Sequence, residues 1–296
     1  MRVLVTGATG FVGRYVVREL LARGHEVRCL VRPGSEVKLA DRERVEVASG
    51  DALDMPAVAA AAQGCEAVIN LVGIIREFPG RGVTFERVHV QATENLVNAA
   101  RDAGVKRFLQ MSALGARPEP ADPYHLTNFR ADEIVQKSGI PYTIFRPSLI
   151  YGPEDQSLNL FAKQIKTLRM VPVVGNGLYQ MQPVLVTTVA PAFALALELP
   201  HTENRIYEVG GPEPLTFNAI IDTLALVLGC RVLKVHVMVW SLRLLAGLCG
   251  RFPSFPLTTG QIRMLLEGNT CDPTAFYRDF GLDAVGLRDG LLTYLA

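Results

Sequence analysis

The chain predicts an α/β fold: a doubly wound parallel sheet with helices on both faces and a smaller, mainly helical C-terminal lobe. Three observations predict it. Short β-rich runs alternate with helically patterned segments through the first half. The first strand-like run closes on a glycine-rich loop that opens a helix. After Pro147 the rhythm breaks, with Gly- and Pro-rich stretches at Tyr151–Asp155 and Pro172–Gly177.

Each element has its own signal. Arg2–Val5 is the first strand, and Phe11–Arg23 carries one apolar stripe at Val12, Val16, Val17, Leu20 and Leu21, stopped by Gly24. Glu26–Val31 and Val45–Ala48 read as the second and third strands, Ala67–Val72 as the fourth and Arg107–Met111 as the fifth. Between the last two, Val88, Ala92, Leu96 and Ala99 space a helix over Glu86–Ala103, closed by Gly104. Asp122 is an N-cap, Pro123 a first helical residue, and the helix runs to Ser138 before Gly139. Tyr142–Arg146 is the sixth strand, and Arg205–Val209 a late strand returning to the sheet. Such alternation implies right-handed crossovers and helices on both faces.

Composition narrows the function classes. Thirty basic residues against 29 acidic ones leave a net charge of +1, so no general field draws nucleic acid or an anionic membrane. The five cysteines (Cys29, Cys65, Cys230, Cys249, Cys271) form no CxxC pair, which suggests buried thiols in a reducing compartment and no zinc site. A strand follows Met1 almost at once, with no pattern of a signal peptide. The apolar stretch Val235–Cys249 is interrupted by His236 and Arg243 and is shorter than the roughly 20 residues of a membrane span. The expected location is cytoplasmic.

Thr6-Gly7-Ala8-Thr9-Gly10-Phe11-Val12-Gly13 joins the first strand to the first helix. Gly7 allows a tight turn, Gly10 lets backbone approach a pyrophosphate, and Gly13 lets the helix pack close to the sheet. The helix N-terminus adds unpaired N–H groups and a positive dipole end. This is a Rossmann-type dinucleotide loop in GxxGxxG spacing. The second strand ends Cys29-Leu30-Val31-Arg32 without an acid, and Lys38 follows. An Arg there pairs with a 2′-phosphate, as in NADP(H) rather than NAD(H) sites, or is simply a solvated strand end. Asp51 either bonds the adenine amino group or makes a turn with Gly50.

Ser112 ends the fifth strand and Tyr124 opens the following helix. With the glycine loop, Asn70-Leu71-Val72-Gly73, Arg146-Pro147-Ser148 and Tyr151-Gly152-Pro153, the sequence resembles the extended or atypical branch of the short-chain dehydrogenase/reductase superfamily, of NAD-dependent epimerase/dehydratase type, over nearly its whole length. The resemblance implies a tyrosine that exchanges a proton with substrate while hydride moves to or from the nicotinamide. It also implies a lysine four residues on that lowers the tyrosine pKa. Here Asn128 stands in that place, one turn from Tyr124 on the same helix face. A free tyrosine has a pKa of about 10, and bringing it to neutrality takes roughly 4 kcal/mol, which a neutral amide does not provide. The branch commonly carries its catalytic serine one or two residues beyond the strand end, where this chain has Ala113 and Leu114. Ser112 is therefore either that serine or a strand-end hydroxyl, and His125 either a substitute acid or a solvated neighbour.

Together the loop and the resemblance place the dinucleotide on Gly7, Thr9, Gly10, Phe11, Val12, Gly13, Arg32, Lys38, Asp51, Ala52, Leu71, Val72, Gly73, Met111, Tyr124, Asn128 and Pro147. Tyr124 and Ser112 are the candidate catalytic residues, with no metal site. Residues 1–150 and 182–210 form the expected NADP(H)-binding domain, and 151–181 with 211–296 a smaller substrate or partner lobe. Phe161, Tyr179 and Gln182 are candidate substrate liners.

Phe108–Ala116, Arg146–Asp155, Gln182-Pro183-Val184, Tyr207–Pro212 and Asp272–Gly281 further resemble the NADPH-binding accessory subunits of respiratory complex I and their bacterial relatives. That implies a cofactor held for structure or assembly and a location peripheral to the inner membrane, while other relatives act as reductases on isoprenoid- or quinone-like molecules. The apolar, helix-patterned run Leu224–Phe252, with Val235, Val237, Val239, Trp240, Leu244, Leu245 and Leu248, either docks on a protein or membrane surface or packs into the second lobe. Two functions stay open: a cofactor-holding assembly protein, and an NADP-dependent oxidoreductase or epimerase for a small carbonyl or lipid-like substrate.

Overall fold

The computed structural model describes residues 1–39, 41–242, 244 and 258–295. The first half contains β1 (Arg2–Thr6), α1 (Phe11–Ala22), β2 (Glu26–Val31), β3 (Glu46–Ser49), α2 (Met55–Ala62), β4 (Ala67–Asn70), α3 (Ala92–Asp102), β5 (Arg107–Met111), α4 (Pro123–Gln136) and β6 (Tyr142–Pro147). Then come β7 (Ile150–Tyr151), α5 (Leu158–Leu168), β8 (Met170–Val174), β9 (Gln180–Met181), β10 (Val184–Leu185), α6 (Val186–Leu195) and β11 (Arg205–Val209). The chain continues through β12 (Leu215–Thr216), α7 (Phe217–Val227), β13 (Leu233–Val237), α8 (Thr259–Glu267), α9 (Thr274–Phe280) and α10 (Leu287–Leu295).

Seven strands form one sheet in the order β11-β6-β5-β4-β1-β2-β3, every pair parallel. The order reverses between β1 and β4, which opens a crevice at their C-terminal ends, the place where such sheets bind ligands. Alternation within strands sorts the core into two layers. Val3 and Val5 of β1 face one layer with Val16, Val17 and Leu20 of α1 and Phe193 of α6. Leu4 faces the other with Val58, Leu96, Phe108 and Val135. A third apolar cluster, with Tyr151, Leu158, Ile165, Val173, Ile220, Leu224 and Leu291, forms the core of the smaller lobe.

Three local features depart from the sequence pattern. No helix is expected from periodicity at α2, because MPAVAAAA offers no contrast between faces. The predicted helix over Glu86–Ala103 opens with a π-helical turn at Glu86–Gln91 before α3 begins. The helical reading of Leu224–Phe252 is corrected over its middle: α7 stops at Val227, Gly229 turns the chain at φ +61°, and β13 pairs in parallel with β8, while residues 239–242 and 244 are helical as expected. Alternating β-branched residues in Leu233–Val237 suit a strand better than a helix. In that run Leu224 is buried, whereas Val235, Trp240 and Leu244 are exposed; Leu245, Leu248 and Cys249 lie outside the described residues. Among the described residues no helix is long and apolar enough to cross a membrane.

Candidate functional site

At the crevice between β1 and β4 lies a cleft of about 440 Å³. Nine of the residues proposed to hold a dinucleotide line it: Gly7, Thr9, Gly10, Arg32, Asp51, Ala52, Leu71, Val72 and Gly73. The glycines are there for want of room. Gly7 has φ +73°, and a Cβ on it would sit 2.6 Å from the Leu71 carbonyl oxygen. A Cβ on Gly13 would lie 2.2 Å from the Gly7 oxygen. Gly10 donates to Gly7 O at 3.0 Å and caps α1 with no side-chain acceptor, leaving first-turn N–H groups available to an anion. A cradle that admits no side chain and ends in free N–H donors fits a pyrophosphate.

The remaining proposed contacts are placed otherwise. Phe11, Val12 and Gly13 start α1, where the N–H groups rather than the side chains face the loop; Val12 and Gly13 are buried against the sheet. Met111 and Pro147 end β5 and β6. Lys38 is exposed in the turn Glu36–Lys38 and does not line the cleft. Asp51 accepts from Leu53 N at 2.9 Å, so it makes the turn and faces the cleft at once.

Asn70 organises the floor. Its Oδ1 accepts from Thr6 Oγ1 at 2.8 Å and from Val72 N at 3.1 Å. Its Nδ2 donates to Gln110 Oε1 at 2.9 Å and Thr93 Oγ1 at 3.2 Å. One buried amide thus ties β1, β4, β5 and α3 together with all its partners met, fixing the Leu71–Gly73 turn against Gly7. The strand-end position of Asn70 hints at this, but only the sheet order brings Thr6 and Gln110 alongside.

Asp122 caps α4 by accepting from His125 N at 3.0 Å, and its other oxygen lies 2.7 Å from His125 Nδ1. One residue into that helix, Tyr124 packs edge-on against Phe85, His89 and His125, with ring centroids 5.7, 5.5 and 5.2 Å away. Burial, helped by the Asp122 charge, pushes the Tyr124 hydroxyl up to about 12. Asn128 donates through Nδ2 to the Tyr124 backbone carbonyl at 2.9 Å. His89 is buried and held down at about 4, hence neutral at physiological pH. Its Nδ1 lies 2.9 Å from Thr127 Oγ1, and its Nε2 lies 3.1 Å from Ile74 O and 3.2 Å from Ile74 N.

Ser112 is placed apart from this group in its bonding. Its hydroxyl donates to Asp132 Oδ2 at 2.9 Å, and the same carboxylate meets Arg146 Nη2 at 2.8 Å. Burial raises the Asp132 carboxyl to about 6 against the opposing pull of Arg146 and Ser112.

A second cleft of about 760 Å³ opens beside Tyr124, lined by Ile75, Arg76, Phe78, Arg81, Phe85, Gln261, Arg263 and Met264 among others. The three expected substrate liners are not there. Phe161 meets Phe217 edge-on and Tyr179 stacks on it inside the smaller lobe. Gln182 donates to Gly211 O at 2.7 Å and accepts from Cys271 N at 2.9 Å. Packing and backbone pairing, not solvent access, decide these positions. Of this lining the sequence singled out Asp122, Pro123 and Tyr124 at the start of α4; spacing did not reveal the others, which come from the segment after β4 and from α8 with the residue before it.

Residues 3–210 match the model of the NAD dependent epimerase/dehydratase family. A mitochondrial NADH dehydrogenase [ubiquinone] 1 alpha subcomplex subunit 9 of Arabidopsis thaliana is 33% identical over 226 residues, covering 74% of this chain and 56% of that protein. The chain thus spans little more than half the length of that relative. The 40 kDa subunit of Neurospora crassa NADH-ubiquinone oxidoreductase is 26% identical over 98% of this chain and 78% of its own. Among solved structures, the dTDP-glucose 4,6-dehydratase DesIV from Streptomyces venezuelae, with NAD and TYD bound, superimposes with a TM-score of 0.80. It covers 100% of this chain and 96% of its own at 24% identity, a likeness of fold. The sheet order, the glycine cradle and the family match agree: this chain belongs to the NAD dependent epimerase/dehydratase family.

Proposed function

We propose that this chain holds a nicotinamide dinucleotide in the glycine-loop cleft, NADP(H) in preference to NAD(H), and serves as a cofactor-bearing assembly or docking protein. The observation that carries this reading is the pairing of a built cleft with an unassisted tyrosine. Tyr124 sits beside the neutral Asn128 and the neutral His89, and its hydroxyl is pushed up to about 12. At neutral pH it holds its proton and can donate a hydrogen bond; it is a poor base. Bound in the cleft, a nicotinamide supplies hydride chemistry, and Gly7, Gly10, Arg32 and Asp51 would orient the dinucleotide's adenosine and phosphates.

In this proposal residues 1–150 with 182–210 carry the cofactor, and 151–181 with 211–296 form the partner-facing lobe. The subunit names of the Arabidopsis and Neurospora relatives support a protein partner in a respiratory assembly, peripheral to a membrane. Exposed Leu233, Met238, Trp240 and Leu244 support a contact surface on that lobe.

A second reading, an oxidoreductase or epimerase acting on a small carbonyl or quinone- or isoprenoid-like substrate, is favoured by the cleft beside Tyr124. Incubation of the purified protein with NADPH and a carbonyl panel, following nicotinamide absorbance, decides between the two. Tight NADPH retention without turnover is expected. Turnover that Tyr124→Phe abolishes would overturn the assembly role in favour of the second reading.

A further inference from the structure

Opposite the β2 side of the dinucleotide cleft stands a short hairpin. Phe78 and Val83 pair antiparallel, Phe78 N donating to Val83 O at 2.7 Å and Val83 N to Phe78 O at 3.2 Å. The hairpin and the π-helical turn after it place Arg81 and Arg87 in the lining of the cleft that also holds Arg32. Arg81 lines both clefts, so the hairpin is the wall between them.

The guanidiniums are positioned. Arg87 Nη1 donates to Gly82 O at 2.8 Å, and its other N–H groups stay available. Gly82 holds φ +68°, a left-handed conformation that favours glycine. Arg81 lies over the Phe78 ring, 6.0 Å from its centroid. Among the described residues no carboxylate pairs with Arg32, Arg81 or Arg87. Asp51 is the single acid in a lining that contains three arginines. Three cations around one small cleft with one acid among them repel each other unless an anion joins them.

We propose that Arg81 and Arg87 form a second cationic wall of this cleft and grip phosphate groups of the bound dinucleotide from the side opposite Arg32. The proposal rests on the dinucleotide-binding reading above and extends it to residues outside the glycine loop and the β2 terminus. The shared chemistry is a phosphate, supplied by either the pyrophosphate or the 2′-phosphate. Arg suits both through its forked donors.

The test is fluorescence titration of the full chain and its Arg81→Gln/Arg87→Gln variant with NADPH and with NADH, at two salt concentrations. The variant is expected to weaken NADPH binding about tenfold or more, with a shallower salt dependence. Equal weakening of NADH assigns the arginines to the pyrophosphate, and unchanged NADH binding assigns them to the 2′-phosphate; both outcomes support the wall. Wild-type affinity of the variant for both dinucleotides overturns it. Failure of the wild-type chain to bind either dinucleotide instead overturns the dinucleotide reading, and the wall with it. Should the double variant melt lower without ligand, Arg81→Lys/Arg87→Lys keeps the charge and loses the fork; it is expected to bind NADPH between wild type and the Gln variant, and affinity no better than the Gln variant's overturns the proposal.

Discussion

Asn128 turns its side-chain amide onto the backbone carbonyl of Tyr124, 2.9 Å away, so the residue one turn beyond the tyrosine caps its own helix backbone and brings no charge to the phenol. Replacing it with a cation should change the tyrosine. In Asn128→Lys the Tyr124 hydroxyl is expected to titrate at least one pH unit below the wild-type value of about 12, by the attraction of a nearby ammonium. Ultraviolet difference titration of the phenolate measures this directly. An unchanged midpoint would show that burial, not the missing charge, governs Tyr124.

Arg32 directly follows β2 in the lining of the cleft and lacks a carboxylate partner among the described residues. Arg32→Ala should weaken NADPH about tenfold and NADH little, since only NADPH carries the 2′-phosphate. Calorimetric titrations with both dinucleotides check it, and equal losses would remove Arg32 from cofactor selection.

His89 links folding to pH. Its folded value of about 4 lies below the ordinary histidine value, because burial disfavours the charged ring. Above pH 6.5 both states are neutral and no penalty arises; between 6.5 and 4 the unfolded chain takes up a proton that the folded one refuses, so stability falls. The full loss is about 3 kcal/mol below pH 4. Asp132, raised to about 6, works in the opposite direction as its folded form protonates first. Denaturant unfolding of wild type and His89→Asn from pH 7 to 4 isolates the histidine: the gap between them should narrow on acidification. A constant gap would contradict the assignment.

The Ser112–Asp132–Arg146 chain is expected to behave as structure. Asp132→Ala strands Arg146 and should cost about 3 to 5 kcal/mol, while Ser112→Ala removes one hydrogen bond and should cost about 1 kcal/mol. Neither should change NADPH affinity once folded. Paired melting and titration measurements read both effects, and an affinity loss in Ser112→Ala with unchanged stability would give the serine a role at the ligand.

Gly13→Ala drives a methyl to 2.2 Å from Gly7 O, against backbone that also forms the cradle. Stability should fall by about 3 kcal/mol. A denaturation midpoint equal to wild type would mean the loop shifts freely.

The sheet strands and α1 were legible because buried strands and amphipathic helices write their periods into the residues. Val3, Leu4 and Val5 alternate between layers, and Val12, Val16 and Leu20 make one stripe. The alanine-rich α2 wrote no period, and β13 read as helix because Val-rich segments satisfy both patterns until a partner strand arrives.

Sequence by itself determined the parallel α/β architecture, the glycine cradle and the absence of a lysine beside Tyr124, for these depend on residues adjacent in the chain or one helical turn apart. Tertiary structure alone decided that Ser112 bonds Asp132, that Phe161 and Tyr179 pack on Phe217, and that Arg81 and Arg87 share a cleft with Arg32. Arg32 and Arg87 stand 55 positions apart, and what brings them to one cleft is the crossing order of the strands between them. No local period encodes that order; it follows from how whole elements pack around one buried sheet.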